Sequence, residues 1–353
     1  MLKKTLLTLL IVSVLLFIPG CNNEGKQVST ATETPVATPE ATPEPEPEPT
    51  PTEPPIFNPD FVVPNPKTRP VSVMIDNQGD RVLPQGGISQ AQIVYEMLVE
   101  YNITRFMAFF WDTMPEMIGP VRSSRHYFLD YALEYDAVYT HFGWSEYARK
   151  DIAKLKIQNI NGLVNGAAFW DLTNDRSNWQ DSYTSGERVN KQIETLKYRT
   201  EPQKPFPFTY EEQFMIPQDG VSAVDVFVKF ASKGGNTSGF VYNADLGLYE
   251  RFRNGQPHME RNTGKQVLTA NIIVQVVAAP PIPGDPEGRR NLENIGSGEG
   301  WFITAGKAIP IKWSKTARDA QTTFTTQDGK PITLNRGQTW IELIPSKDYI
   351  EMK

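Results

Sequence analysis

The run Arg122-Ser123-Ser124-Arg125-His126 concentrates more chemistry than any other five residues of the chain. Two guanidiniums, two hydroxyls and an imidazole suit the recognition of a carboxylate or phosphate, which arginine binds through paired N–H donors. Ser123 or Ser124 is also a helix-capping residue type, and Tyr127, Phe128, Tyr131, Ala132 and Tyr135 follow at helical spacing. A helix from Ser123 or Ser124 to Tyr135 is expected, with its free N–H groups adding to an anion site. A second run, His141-Phe142-Gly143-Trp144-Ser145, closes the apolar stretch that begins at Ala137. That stretch reads as a buried strand. Its carboxyl end is where α/β folds place ligands. His141 there is a candidate general base, and Trp144 offers a stacking face. Asp76 and Asn77, at the end of the apolar run Val71–Ile75, are candidates to join both runs in one pocket.

Glu96, Glu100 and Arg105 form a third constellation. Ile93–Glu100 and Ile103–Trp111 read as a hairpin turning at Tyr101-Asn102, with Leu98 facing Arg105 and Glu96 facing Met107. Arg105 is then expected between the two glutamates. That is either a structural ion cluster or a paired-carboxylate site of the glycosidase type. Gly296-Ser297-Gly298-Glu299-Gly300 leads into a strand instead of a helix, so it lacks the mechanism of a phosphate loop. His258 reads as a loop histidine. Three histidines without close spacing, and one cysteine, give no metal site and no cofactor site.

The elements that must position these residues fall into two groups. Strand, helix, strand, helix up to about Tyr198 implies an α/β layered domain over 58–205. Ser145 caps one helix, and Thr184 with Glu187 forms a capping box for another. Residues 221–350 are entirely β in pattern, with Asn254-Gly255 as a hairpin signal, and predict a barrel or sandwich. The Pro-rich segment 199–220 is the expected boundary.

The first 57 residues set the address. Lys3 and Lys4 precede fourteen uncharged residues, Thr5–Ile18. This fits the apolar region of a signal peptide over 1–20 and is short for a membrane span. Ile18-Pro19-Gly20-Cys21 resembles the bacterial lipobox, which implies a lipid on Cys21 and attachment to the extracytoplasmic face of the cell membrane. Residues 22–57 hold nine prolines and seven glutamates against one lysine. With few aliphatics they are expected to form a disordered spacer. They carry a net charge of −6 (one lysine against seven glutamates). The remainder, residues 58–353, has 32 basic and 34 acidic side chains, or −2. This balance gives no sign of nucleic-acid binding.

Four stretches carry a family resemblance: Val71–Asn77, Ile93–Phe106, Ile118–Tyr127 with Gly119-Pro120-Val121-Arg122-Ser123, and Asp136–Gly143. Further on, Pro257-His258, Thr263-Gly264, Asn271–Gln275 and Trp340–Pro345 belong to the same pattern. In these the chain resembles the YerB-like lipoprotein family. The resemblance implies an α/β domain followed by a β-rich one, and no activity. Relatives commonly show Pro-His-Asn where this chain has Trp179-Gln180-Asp181, and Gln180 cannot serve as a base. Together these readings favour an envelope lipoprotein binding an anionic cell-wall ligand at Arg122–His126. The alternatives are a cell-wall hydrolase using His141 with Asp76 or Glu96, and a protein–protein scaffold.

Overall fold

The computed structural model describes residues 61–353, which lie in one compact unit. The signal peptide, Cys21 and the acidic spacer lie outside the described residues. The first half contains β1 (Val71–Asp76), β2 (Ile93–Leu98), β3 (Thr104–Phe110), α1 (Phe128–Glu134), β4 (Val138–His141), α2 (Glu146–Leu155), β5 (Asn159–Asn161) and α3 (Gly186–Thr195). The strands β1, β2 and β3 are buried at every position. Their near-continuous Val, Ile, Met and Phe runs therefore serve two covered faces. None of the described helices is long and apolar enough to cross a membrane.

The main sheet runs through both halves of the chain. Its order is Thr323–Thr326, Lys307–Lys315, Gly296–Thr304, Asn271–Val276, Thr339–Ile344, β2, β3, β1, β4, β5. The strand Thr339–Ile344 is parallel to β2 on one side and to Asn271–Val276 on the other. One face of the sheet packs on α1, where the Tyr95 and Tyr131 ring centroids are 4.6 Å apart and those of Phe109 and Tyr135 are 4.5 Å apart. The other face meets a second, antiparallel sheet. Its strands are Leu248–Arg253, Thr237–Asn243, Asp225–Lys229 and Ile350–Met352, with a short edge at Gln256–Pro257. Alternating burial along Asp225–Lys229 shows one face in the core and one in water. The described residues form an α+β fold, with open sheets in the β-rich half and no closed barrel among them.

Three local expectations shift. The β2–β3 register pairs Met97 with Arg105 and Glu96 with Phe106, one residue away from the expected one. Val99 N–H bonds to Ile103 O, so the loop has three residues, with Tyr101 at φ 47°. A one-residue slip moves a side chain to the opposite face. Arg105 therefore turns away from Glu96. Helix α1 begins at Phe128 with no side-chain cap; Ser124 lies instead in a parallel bridge to Trp144, its N–H on Gly143 O at 3.0 Å. The anion site expected at a helix start on Ser123 or Ser124 is thus absent from that place. Ser145 does cap α2, by accepting from Ala148 N–H, while α3 is capped by Ser185 instead of Thr184.

Candidate functional site

The strands β1 and β4 are paired only along Val71–Val73 and Val138–Thr140. Beyond that the segment Pro120–Ser124 enters between their carboxyl ends. Pro120 O accepts from Asp76 N–H at 2.8 Å, and Arg122 N–H donates to Met74 O at 3.0 Å. On the other side Phe142 N–H donates to Arg122 O at 3.0 Å. The main chain thus fixes Arg122 at the split in the sheet, the kind of position at which open α/β sheets bind ligands. Gly119 leads into the insert at φ 149°, where a Cβ would come within 2.9 Å of the Tyr183 ring.

At the split, Arg122 Nε lies 3.0 Å from Asp76 Oδ2. The guanidinium carbon is 4.2 Å from the centroid of the Trp179 ring, and Trp179 itself is 53% exposed. Gln180 Nε2 donates to the same Asp76 oxygen at 3.0 Å and to Gln78 O at 2.8 Å. Asp76 Oδ1 accepts from Gln78 N–H at 3.1 Å. Asp76 is therefore fully engaged in orienting Arg122. Neither terminal nitrogen of Arg122 has a hydrogen-bond partner among the described residues, and its side chain is 20% exposed. Burial pulls the Arg122 pKa down, and Asp76 opposes that.

Arg105 and Arg125 stand behind this group. Arg105 donates to Ser123 O at 2.6 Å and lies 3.8 Å from Glu100. Arg125 pairs with Glu100 through Nε and donates to Ser124 O at 2.8 Å. Burial, and then Arg125, lower the Arg105 pKa to about 10. Burial alone would raise the Glu100 carboxyl, but Arg105 and Arg125 hold it below its usual range. Arg105, Arg122 and Arg125 together face Asp76 and Glu100, three positive groups against two negative.

The other candidates lie elsewhere. His141 is fully buried, with Nδ1 on Gly143 O at 2.7 Å and Nε2 on Asn159 Oδ1 at 3.1 Å. Burial lowers its pKa to about 4. It is neutral at pH 7, and both of its ring nitrogens are occupied. Trp144 lines a cleft with Ile152 of α2 and Asn159. His126 meets Asn291 at 2.9 Å. Ser123 contributes its carbonyl, and Ser124 is buried.

Asn77 and Glu96 belong to a buried network between the sheets. Glu96 Oε1 accepts from Asn77 at 3.0 Å and Thr104 at 2.6 Å. Oε2 accepts from Ser238 at 2.7 Å and Arg251 at 2.6 Å. His258 is part of this network and not of a loop. It is 1% exposed, with Nδ1 facing Arg251 and Nε2 2.8 Å from Gln85 Oε1. Burial, then Arg251, push its pKa well below the usual histidine value. A neutral ring that accepts at Nδ1 and donates at Nε2 fits both neighbours. Sequence reasoning missed Trp179 as a site residue; its available signal was a tryptophan in a polar, loop-like stretch. Arg251 carried no local signal at all.

Residues 62–199 match the N-terminal domain, and residues 226–341 the C-terminal domain, of a family described as protein of unknown function (DUF3048). The chain is 32% identical over 284 residues to a protein named "Putative lipoprotein YerB" from Bacillus subtilis (strain 168), covering 79% of this chain and 82% of the relative. It is also similar to the crystal structure of YerB protein from Bacillus subtilis, with a TM-score of 0.73 and 29% identity, covering 84% of this chain and 99% of that one. With both domains matched in order along most of its length, the chain belongs to the DUF3048 family.

Proposed function

We propose that this protein is a lipid-anchored, extracytoplasmic lipoprotein that binds an anionic group of a cell-wall component at Arg122. One observation carries the reading. Arg122 is held by Asp76 on one edge and by Trp179 on one face, at the split between β1 and β4, with its terminal nitrogens left over. A guanidinium immobilised in this way loses little freedom when it binds, and its two outer nitrogens match a carboxylate or phosphate. The address rests on Lys3-Lys4, the apolar run and Cys21, together with the lipoprotein name of the relative. Binding suits the site better than hydrolysis does. Asp76 is committed to three partners, and His141 is enclosed with both nitrogens bonded.

Co-sedimentation of the purified mature protein with isolated cell walls tests the reading. Arg122→Ala is expected to weaken binding at least tenfold, and Trp179→Ala by a smaller factor. Arg149→Ala, on the exposed side of α2, is expected to leave binding unchanged. Equal retention of the wild type and Arg122→Ala would remove the proposal. Release of soluble wall fragments by the wild type would replace it with hydrolysis.

A further inference from the structure

A cavity of about 220 Å³ lies where the two halves of the chain meet. Its walls come from the lead-in at Phe61, the turn Ile88–Gln90 before β2, and the loop that includes Lys265 and Gln266. It sits at the amino end of the seam between β2 and Thr339–Ile344 and shares none of the residues around Arg122.

The chemistry of its lining is specific. The main chain around it is already engaged: Gln338 Nε2 donates to Ile88 O at 2.7 Å and to Ala91 O at 2.8 Å, and Thr339 N–H donates to Gln92 O at 3.0 Å. The buried amides are engaged too. Trp111 N–H donates to Gln92 Oε1 at 3.2 Å, and Trp340 Nε1 to Gln338 Oε1 at 2.6 Å. What remains is a set of uncharged groups. Ser89 Oγ, Thr113 Oγ1, Gln90 Nε2 and Gln266 Oε1 have no partner among the described residues. The Phe61 ring supplies an apolar wall. Among the described residues no carboxylate lines the cavity, and Lys265 is the one charged group there.

These features select among ligands. A cation would find no acid among the described residues. A phosphate would find a single lysine, which is a weak holder compared with a guanidinium pair. An extended peptide would find the carbonyls of Ile88, Ala91 and Gln92 already taken. Hydroxyl and amide groups around one aromatic wall match a sugar ring, which has an apolar C–H face and an equatorial belt of hydroxyls. The volume is below the roughly 300–1,000 Å³ of sites for drug-sized molecules, which limits the occupant to about one ring. We infer that this interdomain cavity is a binding site for one neutral saccharide unit, separate from the anion site at Arg122.

Titration of the purified mature protein with the trisaccharide of N-acetylglucosamine, followed by NMR or calorimetry, tests the inference. The expected result is saturable binding that Phe61→Ala and Gln90→Ala each weaken at least tenfold while circular dichroism stays unchanged. Arg122→Ala is expected to leave this binding intact, so failure here is distinguishable from failure of the anion site. The inference is overturned by an absence of saturable binding, by binding that neither cavity variant alters, or by loss of binding in Arg122→Ala.

Discussion

At the scale of single residues, the chain places its most demanding electrostatics away from the exposed site. Arg251 is fully buried, 2.6 Å from Glu96 and 3.9 Å from the centroid of the Trp340 ring. Removing one partner of such a pair strands the other charge in the core. Arg251→Ala is expected to destabilise the protein by about 3–5 kcal/mol, measured by urea unfolding at neutral pH. Glu342 lies beside this pair, opposite Glu96 in the parallel register, with no hydrogen bond to either carboxyl oxygen among the described residues. Burial, and then the charge of Glu96, raise its pKa well above the ordinary 4.5, with Arg251 opposing. The sign follows from linkage. As pH rises past the ordinary carboxylate range, the unfolded chain ionises at Glu342 first, so the folded state loses stability until its own raised pKa is passed. Glu342→Gln removes that loss. The variant is expected to be more stable than the wild type at pH 8, with the difference shrinking towards pH 4, where both states of the wild type are protonated. The same difference at both pH values would show that Glu342 does not titrate in this way.

At the scale of elements, function depends on a segment that is neither helix nor named strand. Pro120–Ser124 holds Arg122 only because both of its edges are bonded, to β1 and to the end of β4. Gly119 permits the entry, and an added Cβ there meets Tyr183 and Val121 N at 2.9–3.0 Å in a backbone region that favours glycine. Gly119→Ala is expected to cost about 1–3 kcal/mol. It is also expected to weaken wall binding more than its loss of stability explains, read by comparing thermal unfolding with co-sedimentation. The sequence made much of this region legible. Glycine and proline marked the turn, the arginine-serine run marked the chemistry, and apolar runs marked β1 and β4. It did not show that Ser124 would satisfy its N–H across the split, because that bond goes to Gly143 on a different element. Ser124 sits in a bridge to Trp144, and the helix starts only at Phe128. The hairpin register failed as well. Tyr101-Asn102 reads as a two-residue turn, yet Tyr101 adopts φ 47° and Glu100 joins the loop, where Arg105 and Arg125 reach it.

At the scale of the whole molecule, the two family domains share one sheet. Local patterns suggest an α/β domain over 58–205 and a β domain over 221–350. They could not show that Thr339–Ile344 would pair with β2, because a strand's partner some 250 residues away leaves no trace in its own periodicity. The Pro-rich boundary is likewise fastened down. Thr209–Tyr210 pairs with Thr333–Leu334, Phe206 packs on Trp111 with ring centroids 5.1 Å apart, and Phe208 stacks on Phe324 at 6.0 Å. When the halves are separated, β2 and Thr339–Ile344 each lose one neighbour. The half ending at 205 exposes the edge of β2, with Val94 and Glu96 uncovered, and such an apolar edge invites aggregation. Residues 58–205 expressed alone are therefore expected to give a collapsed NMR spectrum and to precipitate. Co-expression with 206–353 is expected to restore a soluble complex with dispersed signals. The intact protein is expected to unfold in one calorimetric transition, with tryptophan fluorescence and far-UV circular dichroism tracing the same curve. Two separate transitions, or a well-dispersed spectrum from 58–205 alone, would show that the shared strand does not couple the halves. The interdomain cavity would then have to assemble from two bodies that fold without each other.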